Sequence, residues 1–240
     1  MHIMDGVISS PLLVGATIIA VSAVSYGLKR VKPDDIPKIA LLAAAFFVAS
    51  LIRVPIGPTS AHLMLTGLLG LVLGPAIFPA LLAGLMLQTF IFGFGGITVL
   101  GLNLVNMSLP GFLSFLIFMP LLQRELQREA SGYQTTPSST SLNRLFIVIE
   151  KNRIFIIGFC AGSLALLGSL LMVALSLALS GQAFIPVAKF MIVANLPLLV
   201  IEGLVVGVIL SFLTSLKAEL FKSGTLQKIT VLHAPSELRS

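Results

Sequence analysis

Charge is what this sequence has least of. Only 10% of its 240 residues are Asp, Glu, Lys or Arg, against roughly a quarter in an ordinary soluble domain. With 57% hydrophobic residues and a mean hydropathy of +1.07, most of the chain must face lipid or its own interior. The length suits one membrane domain and leaves no room for a separate soluble one. Cysteine occurs once, as Cys160 in the apolar run FIIGFCAGSLALLG, which excludes a disulfide and a CxxC metal site; the thiol is read as a small apolar side chain. No GxxxxGKS or GxxxxGKT phosphate loop occurs, so the chain cannot drive ATP-coupled transport by itself. HExxH and GxSxG are absent, which removes motif support for an intramembrane hydrolase. There is no repeat of fixed period and no aromatic-basic pattern for nucleic acid. The net charge of +6 is therefore read as a marker of membrane side.

Apolar runs of about 20 residues mark membrane spans. They fall at 8–28, 37–54, 62–74, 76–93, 97–121, 153–180 and 187–215. These predict an all-α integral membrane protein of about seven transmembrane helices, with a single domain over 1–216. The third run is short and ends at Pro75, so it reads as a tilted or partial span between neighbours. Residues 123–152 form the one long polar loop, with a Ser/Thr/Pro-rich middle, and 217–240 form a polar tail. Seven spans place the termini on opposite faces. Lys29, Arg30, Lys32 and Lys38 follow the first span; Arg124, Arg128, Arg144, Lys151 and Arg153 follow the fifth; Lys217, Lys222, Lys228 and Arg239 follow the seventh. Of the fifteen basic residues only Arg53 and Lys189 fall on the other face. The positive-inside rule makes the rich face cytoplasmic and puts the amino terminus outside. The first positive charge is Lys29, after the apolar run, which is not the basic start of a signal peptide. The expectation is that Met1 stays at the mature terminus, because a bulky histidine beside it disfavours methionine removal.

This topology collects the chemically interesting residues on the outer face: His2, the turn RVPIGPTSAH, the glycine-rich FGFGGITVLG and the loop near SGQAFIPVAK. A free Met1 amine, the backbone nitrogen of His2 and Nδ1 of its imidazole can hold one ion. Amine and amide close a five-membered chelate ring, and amide and imidazole close a six-membered one. Loss of the amide proton suits Ni(II) or Cu(II), whose ligand fields favour planar nitrogen sites, as Zn(II) does not. His62 is the remaining histidine outside the tail and supplies a fourth nitrogen. The predicted metal ligands are therefore Met1, His2 and His62. Asp5, Thr59, Ser60, Asn103 and Asn106 are the polar side chains available to orient the imidazoles. An ionisable group inside a membrane domain points to function, although His62 could also simply bond a neighbouring span. His233 is read as solvated in the tail. Glu202, the one carboxylate within a span, either relays or neutralises charge or has a structural partner among Asn195, Gln88 and Arg53.

The blocks MHIMDGVIS, GPTSAHLMLTGLLGLVLGP, FGFGGITVLGLNLVNMSLPG and NLPLLVIEGLVVG together resemble the substrate-capture subunit of energy-coupling-factor nickel/cobalt transporters, the NikM/CbiM family. The resemblance runs from Met1 to about Leu213. It implies a six-helix substrate-binding bundle with one extra amino-terminal helix, and an amino-terminal loop plugged into the bundle centre. It also implies that Met1, His2 and His62 bind the ion, with Ni2+ or Co2+ as transported substrate. FGFGG stands where the cobalt-type members have histidine-glycine, which makes the chain more similar to the nickel-type members. Implied partners are a transmembrane coupling subunit, cytosolic ATPase subunits and often a small accessory membrane protein, in the lipid of a prokaryotic plasma membrane and with no nucleic acid. The chain is then a multi-pass transporter subunit, not an enzyme. Competing readings are a cobalt-specific capture subunit for cobalamin synthesis and a stand-alone receptor or facilitator needing no ATPase. A third, an intramembrane enzyme using Glu202 and His62, requires those two residues to meet, and the topology argues against that.

Overall fold

The computed structural model describes residues 3–56, 59–130 and 152–216. Seven helices are found among them: α1 Ser10–Leu28, α2 Ile36–Ala49, α3 Thr66–Leu73, α4 Ile77–Phe92, α5 Leu100–Ala130, α6 Arg153–Ser180 and α7 Ile185–Leu216. Five stretches are long and apolar enough to cross a membrane: Ser10–Leu28, Thr66–Phe92, Leu100–Arg128, Arg153–Ser180 and Gln182–Leu216. The protein is thus a nearly all-helical, multi-pass membrane protein. Each of the seven apolar runs does form a helix, but α2 is only 14 residues long. At ~1.5 Å per residue that falls short of the ~30 Å hydrocarbon core. Helices α3 and α4 together make one membrane-length stretch. Their break lies at Gly74, which takes φ +54 beside Pro75, a residue with no N–H to continue the helix. All eight residues of α3 are buried, as expected of a partial span enclosed by protein.

Two features depart from the sequence reading. Residues Arg53–Ile56 (β1) and Thr59–His62 (β2) pair antiparallel, with Arg53 opposite His62 and Ile56 opposite Thr59. Val54, Pro55 and Ile56 are poor helix residues, so the apolar run ending at 54 leaves the helix early. The polar loop also starts later than expected, because α5 continues through Pro110 and Pro120 to Ala130. Residues 131–151 of the predicted loop and the tail 217–240 lie outside the described residues.

Helix directions follow from the close approaches. Thr17 lies against Gly101 and Tyr26 against Phe112, so α1 and α5 run parallel. Ser114 bonds the Ala161 carbonyl and Asn106 bonds Ser176, so α6 runs antiparallel to α5. Ser163 bonds Leu199 and Gly158 meets Gly207, so α7 returns antiparallel to α6. Phe46 packs on Gly84 and Ser50 accepts from Gln88, so α2 and α4 are parallel. These directions gather residues 3–9, the outgoing ends of α2 and α4, the 93–99 loop and the α6–α7 turn at one end of the bundle.

Small residues set the interior spacing, as in membrane bundles generally. A Cβ added at Gly70 of α3 would lie 2.0 Å from the Gly111 carbonyl oxygen on α5. One added at Gly158 would lie 2.8 Å from the Cα of Gly207. The apolar side chains left exposed include Val14, Ile18 and Val21 on α1 and Val193, Val200 and Leu204 on α7, as a surface that meets lipid or another membrane chain requires.

Candidate metal centre

Met1 and His2 lie outside the described residues; the first described residue, Ile3, is buried at 4% exposure. Its N–H donates to Asn103 Oδ1 at 3.1 Å, and Asn103 Nδ2 donates to its carbonyl at 3.1 Å. One side-chain amide thus satisfies both backbone groups of the third residue, where a buried unpaired group would be costly. Asn103 sits in the first turn of α5, with its own N–H bonded to Val99.

Asp5 makes the next attachment. Its N–H donates to the Gly95 carbonyl at 3.4 Å. Its Oδ1 accepts from the Thr98 hydroxyl and from the Val99 N–H at 3.3 Å. Gly96 is required here, because a Cβ on it would lie 2.1 Å from the Asp5 carboxylate. At φ +149 a side chain would also be strained. The glycine-rich loop therefore receives Asp5, and residues 3–5 are tied to the start of α5.

His62 closes β2 and is buried at 2% exposure. Its Nδ1 lies 3.1 Å from the Leu63 carbonyl oxygen. A carbonyl can only accept, so Nδ1 is the donor in this contact. Thr59 and Ser60 lie in the same strand, opposite Ile56 and Pro55. Asn106 lies one helical turn beyond Asn103 and pairs with the Ser176 hydroxyl of α6 at 3.3 Å. Among the described residues, no three His, Cys, Asp or Glu side chains come together as a metal site. Thr98 and Ser176 carry bonds that the sequence reading did not assign. Thr98 lies within the glycine-rich block that signalled this region, whereas Ser176 has no local signal.

Glu202 of α7 is fully buried, at 0% exposure. Of the side chains expected from sequence as its partner, Gln88 and Asn195 bond elsewhere, and the Arg53 side chain lies outside those described. Gln88 donates to Ser50 at 2.7 Å and Asn195 to the Met191 carbonyl at 2.8 Å. The Glu202 carboxylate instead accepts two backbone N–H groups, from Met64 at 3.0 Å and from Leu65. Leu65 takes φ +51, alone among the described non-glycine residues in being positive. Successive N–H groups in such a turn form a small anion-binding concavity. The Glu202 carboxylate thus reaches the segment that carries His62 through backbone groups, with Met64 and Leu65 as its bonded partners. Backbone donors leave no mark in a sequence, which is why this partner was missed.

The profile of a family described as the cobalt uptake substrate-specific transmembrane region, CbiM, matches residues 2–220. A putative metal transport protein of Haemophilus influenzae is 36% identical over 210 residues, covering 87% of this chain and 91% of that protein. The putative cobalt transport protein CbiM 2 of Methanocorpusculum labreanum is 26% identical, with 92% of each chain covered. The fused nickel transport protein NikMN of Rhodobacter capsulatus is 38% identical over 118 residues, or 46% of this chain and 34% of that longer one. Among solved structures, the crystal structure of a transition metal transporter matches with TM-score 0.65 and 22% identity, covering 98% of this chain and 100% of that one. A truncated transition metal transporter matches with TM-score 0.64 and 24% identity, covering 90% and 97%. At these identities the solved structures speak for the fold alone. The profile spans nearly the whole sequence and the Haemophilus relative nearly its own full length, so the chain belongs to the CbiM family, the cobalt uptake substrate-specific transmembrane region.

Proposed function

We propose that this chain captures a divalent transition-metal ion, Ni2+ in preference to Co2+, on the outer side of a prokaryotic plasma membrane. It does so as the substrate-binding component of an ATP-driven energy-coupling-factor transporter. In this reading the ligands are the Met1 amine, the His2 amide and imidazole nitrogens, and His62. The whole of 1–216 forms one metal-binding domain. The observation that carries the reading is the burial of Ile3, held at both backbone groups by Asn103. A third residue fixed inside the bundle supports a capture site that involves the residues next to it. The buried His62, with Nδ1 turned to the Leu63 carbonyl, supports it as the fourth nitrogen. Four nitrogens in a plane favour nickel, and FGFGG in place of histidine-glycine leans the same way.

The work of transport comes, on this reading, from a transmembrane coupling subunit and cytosolic ATPases, with a small accessory membrane protein as a further partner. Metal titration of the purified protein, followed by uptake in cells with and without ATP depletion, tests both halves. Nickel bound more tightly than cobalt, as a yellow diamagnetic species, with uptake lost on ATP depletion, is the expected result. Cobalt bound more tightly would favour the cobalamin-linked alternative. Uptake that survives ATP depletion would favour a stand-alone facilitator.

A further inference from the structure

The peptide group between Leu63 and Met64 is bonded at both ends. Its carbonyl accepts from His62 Nδ1 at 3.1 Å, and its N–H donates to Glu202 at 3.0 Å. A second bond, from the Leu65 N–H, holds the other carboxylate oxygen. Carboxylate, peptide and imidazole therefore form one hydrogen-bonded chain from α7 to His62. Glu202 is fully buried and makes no ion pair among the described residues.

We propose that Glu202 is a positioning residue for His62, acting through the Leu63–Met64 peptide to fix the imidazole's orientation and its Nδ1–H form. Metal-binding histidines commonly donate their second ring N–H to a carboxylate or a carbonyl, which sets the tautomer and the ring angle. Here both are present in series. The carboxylate draws on the peptide N–H, the peptide dipole is strengthened, and its carbonyl becomes the better acceptor for Nδ1–H. The left-handed turn at Leu65 belongs to the same device, because it turns two consecutive N–H groups onto one carboxylate. An N–H donor in place of one carboxylate oxygen would leave one of those groups unpaired.

This inference rests on His62 being a ligand, so the two are tested separately. The first readout is the imidazole 15N spectrum of the metal-free full-length protein in nanodiscs, with His62 assigned by its loss in His62→Ala. The second is Ni2+ affinity with the absorption spectrum of the bound ion. Glu202→Gln should shift His62 from Nδ1–H to a mixture of tautomers. It should also weaken Ni2+ binding about tenfold and move the absorption band. Glu202→Asp keeps two acceptor oxygens on a shorter arm; it should show the same changes to a smaller degree, and it replaces the Gln variant if that one does not fold. A His62 tautomer and a Ni2+ affinity unchanged in the folded variant, whatever its thermal stability, would overturn the proposal. Native Ni2+ affinity in His62→Ala would instead overturn the ligand assignment, and the tautomer readout would still decide whether Glu202 orients the ring.

Discussion

Asn103 holds Ile3 by both backbone groups, 3.1 Å to the N–H and 3.1 Å to the carbonyl, one hundred residues away in sequence. A single amide does here what a paired strand would otherwise do. Asn103→Leu, similar in volume, would leave both groups of Ile3 buried and unpaired, at about 1–3 kcal/mol each. Since about 1.4 kcal/mol is a factor of ten in affinity, nickel binding should weaken by roughly tenfold or more. Nickel titration of the variant checks this, and native affinity would show that the clamp plays no part in capture.

Extension of the amino terminus by one residue should destroy tight binding. The primary amine would leave the five-membered ring, and an added peptide bond cannot take its place. His2→Ala and His62→Ala should each abolish binding, and His233→Ala should leave it unchanged. Equal damage from all three would mean that stability, not coordination, is being read.

Nickel affinity should fall as the pH drops. The chelate needs a neutral amine, a deprotonated amide nitrogen and neutral imidazoles, so the ion must displace protons. Imidazoles ordinarily titrate near ~6.5 and α-amines near ~7.7–8.0. Protons therefore compete more strongly as the medium is acidified from about pH 8 to 5. The slope should report more than one proton released per ion. Titrations across that range that returned a constant affinity would rule out the nitrogen chelate.

The close approach of α3 to α5 should be intolerant of even one methyl group. Gly70→Ala would place a Cβ 2.0 Å from the Gly111 carbonyl oxygen, a backbone atom that cannot swing aside. The expected loss is at least the ~1–3 kcal/mol typical of overpacked cores. Gly15→Ala on α1 meets nothing within 4 Å and should be neutral or stabilising by up to about 1 kcal/mol. Thermal unfolding in detergent compares the two, and equal melting temperatures would mean that the helices can separate at no cost.

Much of this arrangement was legible before folding. Low charge and long apolar runs located the seven α-helices among the described residues, because a membrane interior imposes one requirement on every residue in a span. The partial span was marked by Pro75, whose missing N–H ends a helix wherever it falls. The hairpin at 53–62 was less legible: Val54, Pro55 and Ile56 disfavour a helix, but four residues are too few to announce a strand. Asp5, Asn103 and Asn106 stood out as polar residues in apolar surroundings. Their backbone partners did not, since Ile3, Val99 and Gly95 contribute groups that every residue owns, and nothing local marked Ser176 as the partner of Asn106.

The sequence by itself determined the solvent, the helical class and the short set of nitrogen-bearing side chains available to a metal, because these follow from residue chemistry and local periodicity. Only the tertiary structure decided which of the polar groups meet. The clamp of Asn103 on Ile3, the seat of Asp5 over Gly96 and the chain from Glu202 to His62 join residues about 90 to 140 positions apart. Each depends on helix directions and on glycine-set spacings between helices. The physical reason is that a buried hydrogen bond is specified by the mutual position of two elements, and that position is fixed by the packing of the whole bundle rather than by any stretch of chain.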